Sequence, residues 1–167
     1  FGVATVQAAS NQALGHAASL FSVWNRWDAP HYLFLAEYGY PSLGQERVLL
    51  VFFPLLPWLV RILAPVSGGY LAAVLCVSTV CSLVLALLLR RLVALDSEDL
   101  SQTTVVFMFA FPTAYFLHIG YTESLFLALT LGAFLAARRQ SWPLAGVLGA
   151  FAALARINAV VLVPALL

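Results

Sequence analysis

An uncharged, strongly apolar run from Leu71 to Leu89 ends abruptly at Arg90-Arg91, and it limits what this chain can become more than any other segment does. As a helix rising ~1.5 Å per residue it would cover about 28 Å, close to the ~30 Å hydrocarbon thickness of a bilayer. The run reads as a transmembrane helix whose arginine end faces the cytoplasm, because basic flanks are retained on that side. The rest of the chain agrees, with 63% hydrophobic and 9% charged residues and a mean hydropathy of +0.97. An ordinary soluble domain carries roughly a quarter charged residues. The fold class expected is therefore all-α, a polytopic transmembrane helical protein.

Arginine pairs set the remaining topology. Arg138-Arg139 repeats the cationic stop of Arg90-Arg91. If both pairs lie on one side, the chain between them crosses an even number of times. The stretch from the acidic loop Asp96–Asp99 to Ala137 then reads as a helical hairpin, its outer turn running from His118 to Glu123. Leu100 to Ala137 offers ~57 Å of helix against about 60 Å for two crossings. A break at Pro112 or a locally thinned site would reconcile these lengths. The expected spans are 71–89, 100–117, 124–137 and 143–167, all within a single membrane-embedded domain, with 1–70 as an extracytoplasmic loop. Val48–Val66 is long enough to span, but Pro54, Pro57, Trp58 and Arg61 favour a helix lying in the interface. If it spanned, Asp28 would move to the cytoplasmic side, away from Glu123 and Arg156. Residues 1–23 lack the basic flank of a signal peptide. A start at Phe1 and an end inside an apolar segment lead us to expect part of a longer protein. All eight basic residues are arginine, which suggests a GC-rich bacterial source and an inner-membrane location.

In such a chain each ionisable group is a candidate for function. Trp24-Asn25-Arg26-Trp27-Asp28-Ala29-Pro30-His31-Tyr32 gathers an acid, a histidine and three aromatics. Asp28 before Ala29-Pro30 reads either as the N-cap of a helix from Ala29 to Tyr38, closed by Gly39, or as a general base. His31 and Tyr32 follow it on one helical face. Glu123 reads as a polar cap on the hairpin turn or as a second functional acid. Arg156, with Asn158 beside it, sits ~20 Å along the last span and requires an anion: Glu123, Asp28 or a lipid phosphate. Arg61 reads as snorkelling to headgroups, and the two arginine pairs as topology determinants. Cys76 and Cys81 read as small buried hydrophobes. No basic tract suits nucleic acid, and the three histidines show no metal-chelating spacing.

Several motifs, in order along nearly the whole chain, resemble the PIG-V type mannosyltransferases. They are Trp27-Asp28 with His31-Tyr32 and Gly39-Tyr40, then Phe52-Phe53-Pro54-Leu55-Leu56-Pro57 with Arg61. Phe111-Pro112-Thr113-Ala114-Tyr115-Phe116, Tyr121-Thr122-Glu123-Ser124-Leu125-Phe126 and Ala155-Arg156-Ile157-Asn158 before Pro164 follow. The resemblance implies a GT-C glycosyltransferase with interfacial helices in its first extracytoplasmic loop. It implies mannose transfer from a polyprenyl- or dolichyl-phosphate carrier, the co-substrate, to a glycolipid or glycan, with Asp28 as base. Glu123 is the second expected catalytic residue, on its chemistry suited to orient the acceptor or hold a neighbouring cation. Arg156, His31, Tyr32, Arg61, His118 and Asn158 are the expected substrate-binding residues. Ala159 stands where the family often has glycine. Metal dependence, the acceptor and an accessory subunit stay open. In a eukaryotic source the membrane would be that of the endoplasmic reticulum. A transporter or channel is the alternative from another class, and would string its charges through the membrane depth. A GT-C enzyme for a different sugar or acceptor is the nearer alternative.

Overall fold

The computed structural model describes residues 24–41 and 44–166. Regular structure among them is helical: α1 Ala29–Tyr38, α2 Leu55–Ser67, α3 Tyr70–Ala94, α4 Glu98–Ala110, α5 Glu123–Arg138, α6 Trp142–Ala155 and α7 Leu162–Leu166. Tighter 3₁₀ segments occupy Gln45–Val51, Pro112–Leu117 and Ile157–Val161. Residues 1–23 and 42–43 of the expected extracytoplasmic loop, and Leu167 of the expected last span, lie outside the described residues. The chain divides into two compact units, one of residues 1–77 with 119–121 and one of 78–118 with 122–167.

In the first unit α1 packs on α2, and Leu35, Ala36, Leu56 and Val60 are buried between them and their neighbours. Pro30 lies in the first turn of α1, where a missing N–H costs nothing because that donor has no helical partner. The helix ends at Gly39, whose φ of 83° and ψ of −173° belong to a region that only glycine adopts freely. Arg61 closes this end from α2: its Nε donates to the Ala36 carbonyl at 2.7 Å and its Nη2 to that of Glu37 at 3.0 Å. A cation on the last carbonyls also opposes the negative end of the helix dipole.

The segment 48–66 is not one element. Val48–Val51 belongs to a 3₁₀ turn, Phe52 is extended, and α2 begins only at Leu55. Pro54 occupies the N-cap and Pro57 the first turn, where neither interrupts the hydrogen-bond ladder. The 13 residues of α2 give ~20 Å of helix, too short for a ~30 Å hydrocarbon core. Trp58, Ile62 and Val66 form an exposed apolar stripe along it, at the i, i+4, i+8 spacing of one helical face.

In the second unit, ion pairs gather the cationic helix ends. Arg138 grips Asp96 with two hydrogen bonds, of 2.7 and 3.3 Å, and Arg90 approaches Glu98 at 3.9 Å. The C-termini of α3 and α5 and the start of α4 thus lie at one end of the unit. The Arg138 guanidinium, first by hydrogen bonding and then by its charge, holds the Asp96 carboxyl below the usual carboxylate range. Helix α3, with 25 residues, is the one described helix long and apolar enough to cross a membrane.

Two expected spans are subdivided. The 100–117 stretch breaks at Phe111, which is extended, and continues as 3₁₀ from Pro112. Proline disfavours a helical residue before it and has no N–H to give. The 143–167 stretch breaks at Arg156, also extended, with φ −155° and ψ 144°. No proline or glycine stands at that break, where the Arg156 side chain meets Glu123. Replacing Gly39 by alanine should destabilise the fold by about 1–3 kcal/mol, read as a lower midpoint of thermal unfolding in detergent. An unchanged midpoint would mean that this turn relaxes at no cost.

Candidate functional site

The candidate functional side chains fall into two groups, one in each unit. The first is built around the entry to α1. Trp27 adopts φ 52°, a left-handed conformation uncommon for a bulky residue, and turns the chain sharply into the helix. Asp28 follows at the N-cap position with φ −84° and ψ −15°, yet its side chain makes no capping hydrogen bond. Its backbone is the part that is held. The Asp28 N–H donates to the Tyr121 hydroxyl oxygen at 3.0 Å, and its carbonyl accepts from the N–H groups of His31 and Tyr32 at 3.0 and 3.3 Å. The carboxylate itself is exposed. A capping aspartate would have been occupied by the N–H groups of the first turn, whereas this one is unoccupied by them.

Tyr121 reaches Asp28 because Gly120 lets two backbones come close. A Cβ on Gly120 would stand 3.1 Å from Val74 Cγ1 and 3.3 Å from Ala29 Cβ. Beside Asp28 on the same helix, the His31 ring lies 5.3 Å from that of Phe52, and the Tyr32 ring meets Phe52 edge-on at 4.9 Å. The Phe52 carbonyl accepts from the Tyr40 hydroxyl at 2.7 Å. Burial pushes the Tyr40 hydroxyl up to about 12, so it stays protonated and keeps donating at any physiological pH. His31 Nδ1 is buried and lacks a hydrogen-bond partner among the described residues. An open apolar depression of about 310 Å³, lined by Tyr40, Phe52, Phe53 and Trp58 among others, adjoins these rings.

The second group lies where α5 begins and α6 ends. Glu123 is the first residue of α5, a position at which a negative charge meets the positive end of the helix dipole. Its Oε1 accepts a hydrogen bond from Arg156 Nη1. Both side chains are about two-thirds buried, at 29% and 35% exposure, so each needs the other. Arg156 leaves α6 in an extended conformation and only its N–H still bonds back, to the Ala152 carbonyl at 3.0 Å. Of the three anions open to Arg156, the structure provides Glu123. The other oxygen, Oε2, is buried without a hydrogen-bond partner among the described residues, as are the hydroxyls of Ser124 and Thr130 on the same helix. A carboxylate oxygen left in that state is an acceptor waiting for a donor.

The remaining expected residues are placed apart from these pairings. His118 is exposed, with its ring 5.9 Å from Phe109. Asn158 is exposed within the 3₁₀ segment after Arg156. Arg61 is engaged with the end of α1. Asp28, His31 and Tyr32 belong to the first unit, and Glu123 and Arg156 to the second. Among the described residues no three His, Cys, Asp or Glu side chains gather as metal ligands. Tyr121 and Phe52 were missed as site residues, since neither carries a charge and their partners are 93 and about 20 positions away.

Comparison with known proteins places this geometry in context. The sequence profile of the family described as Mannosyltransferase (PIG-V) matches residues 5–166. GPI mannosyltransferase 2 of Schizosaccharomyces pombe is 31% identical over 148 residues, which cover 85% of this chain and 31% of that protein. The chain thus spans about a third of the length of this curated relative. No solved structure matches.

The Glu123–Arg156 contact is testable by a double-mutant cycle. Glu123→Gln and Arg156→Met should each lower stability, and the double variant should lose less than their sum, with a coupling of about 1 kcal/mol or more. Additive losses would show that the two side chains contribute independently.

Proposed function

The chain belongs to the PIG-V mannosyltransferase family, and we propose that it forms part of an enzyme moving mannose from a polyprenyl- or dolichyl-phosphate carrier to a glycolipid or glycan hydroxyl, with inversion. The observation that carries this reading is the state of Asp28: an exposed carboxylate at a helix entrance whose backbone is fixed on both sides while its side chain caps nothing. A general base needs a fixed position and a free oxygen. In the transfer, Asp28 takes the proton from the acceptor hydroxyl as that oxygen attacks the anomeric carbon. The bond from that carbon to the carrier phosphate breaks, and the phosphate leaves with the electron pair. It needs no proton, only positive charge where negative charge develops.

Arg156, in the second unit, is suited to receive a phosphate. Glu123 uses one guanidinium nitrogen and orients the fork, leaving other N–H groups for phosphate oxygens. The unpartnered Glu123 Oε2 is suited to accept from a sugar or acceptor hydroxyl, and His31 Nδ1 is suited to the same task. Tyr32 and Tyr40, packed about Phe52, shape the apolar wall. His118 and Asn158, both exposed, are free to contact substrate, and Arg61 supports the site by holding α1. In this reading the protein is polytopic and lies in a bacterial inner membrane. Its crossings are α3, α4 with the 3₁₀ segment Pro112–Leu117, α5, and α6 with the 3₁₀ segment Ile157–Val161 and α7, while α1 and α2 are interfacial helices. The apolar stripe of α2 supports that placement. Membrane lipids, the lipid-phosphate donor and the acceptor are the partners.

Asp28→Asn in the intact protein should leave the unfolding midpoint and donor binding unchanged, because no capping bond is lost, while mannosyl transfer falls by ~10²-fold or more. Asp28→Glu should retain partial activity at best. Transfer at the wild-type rate by Asp28→Asn would remove Asp28 from the chemistry and leave Glu123 as the next candidate. The topology is tested in a cysteine-free background. His118→Cys should react with an impermeant maleimide from the outer face, and Asp99→Cys only after permeabilisation. Equal labelling of both in sealed cells would overturn the hairpin.

A further inference from the structure

The second unit carries a long apolar groove remote in sequence from Asp28 and separate from the Glu123–Arg156 contact. It has a volume of about 540 Å³ and runs between α3, α5 and α6, with Cys81, Leu88, Leu125 and Leu148 among its walls. Arg139 and Ser141 also line it, and they follow directly on the end of α5. From Leu125 to Arg139 the groove follows ~21 Å of α5, more than the ~15 Å depth of one leaflet's hydrocarbon. Its walls are mostly apolar, and Arg139 and Ser141 are charged and polar side chains among them.

The charges at that end are unequally committed. Arg138 is held by Asp96 and Arg90 approaches Glu98. Arg139 is exposed, and among the described residues its guanidinium has no acidic partner. Ser141 stands at the N-cap of the 14-residue α6 without a side-chain capping bond, so the first N–H groups of that helix and the Ser141 hydroxyl add to the positive potential. A hydrocarbon slot of leaflet depth ending in an unpaired arginine is complementary to one class of molecule, a lipid with an anionic headgroup.

We propose that this groove holds one acyl chain of an anionic phospholipid, whose phosphate is gripped by Arg139 at the cationic end of the unit. The proposal rests on the membrane-embedded reading of the chain, and it is independent of which residue acts as the base. Such a lipid would fill a gap between packed helices that no described side chain fills. It would also make the stability of the unit depend on headgroup charge.

The experiment uses the intact protein, purified and reconstituted into nanodiscs of phosphatidylcholine with or without phosphatidylglycerol. Native mass spectrometry after release should show one retained phosphatidylglycerol, and phosphatidylglycerol should raise the unfolding midpoint. Arg139→Gln should weaken phosphatidylglycerol retention by ~10-fold, as expected for loss of a charge-assisted phosphate contact, without changing the midpoint in phosphatidylcholine alone. Leu148→Trp, which fills the slot, should abolish retention of either lipid. Arg139→Lys should restore part of the preference, a sign that charge is being read. Equal retention of phosphatidylglycerol by wild type and Arg139→Gln would overturn the proposal, and so would a wild type that retains no lipid. The readout needs no sugar transfer, so its failure would leave the mannosyl-transfer reading standing.

Discussion

An arginine set among apolar helices cannot be left without an anion, and that requirement shapes the second unit. Arg156 would lie within a continuous helix if local preference alone decided, since Ala155-Arg156-Ile157 contains no helix breaker. An unpaired arginine in a hydrocarbon environment costs ~2.5 kcal/mol or more, whereas interrupting one turn forfeits a few backbone bonds that 3₁₀ geometry partly restores. The chain takes the second option. Helix α6 stops, Arg156 extends, and its guanidinium reaches the carboxylate that opens α5. The same rule operates elsewhere at lower stakes: Arg61 is met by the carbonyls ending α1, and Arg138 by Asp96. In each of these pairs a charged side chain meets a helix end, because that is where backbone groups and partner charges are to be found.

This explains which parts of the fold were legible in the sequence. Helix α1 could be read to its ends because its signals are local: Ala29-Pro30 suits a first turn and Gly39 suits the exit. The break at Pro112 was legible for the same reason. The long apolar run became α3, extended to Ala94 because Arg90 and Arg91 tolerate a further helical turn outside an apolar core. The break at Arg156 was not legible, and the side chain that Arg156 meets there, Glu123, is 33 residues away. Nor could spacing reveal that Tyr121, 93 residues from Asp28, would supply the bond that fixes it. The close approach that permits this depends on Gly120 having no side chain, and one glycine among ten does not announce itself.

The candidate site was legible as a list of residue types and illegible as a set of pairings. Asp28, Glu123 and Arg156 stood out because charge is scarce. Which of them would be satisfied could not be known. Among the described residues, one oxygen of Glu123, one nitrogen of His31 and the hydroxyls of Ser124 and Thr130 are buried without partners, and such groups are uncommon in a settled interior. Glu123 and His31 belong to the motifs that resemble the family's. Stability alone gives no reason to bury an acceptor and leave it empty, because an apolar replacement would cost less. Under the proposed sugar transfer, a substrate rich in hydroxyl groups would give one.

The case of Asp28 turns on the same distinction. Sequence offered two readings that were equally consistent with Asp before Ala-Pro, and either would conserve the shape of the helix start. A capping role demands that the carboxylate bond to the N–H of the second or third helical residue. Pro30 already removes one of the early donors, so the position is a poor one for a side-chain cap. The backbone of Asp28 is secured instead by Tyr121 and by its own carbonyl, which makes the helix start independent of what the side chain does. An aspartate whose local structural work is done by its main chain is free to be selected for its charge. Asparagine would serve as well for shape, so the presence of the acid at this point argues for a proton acceptor.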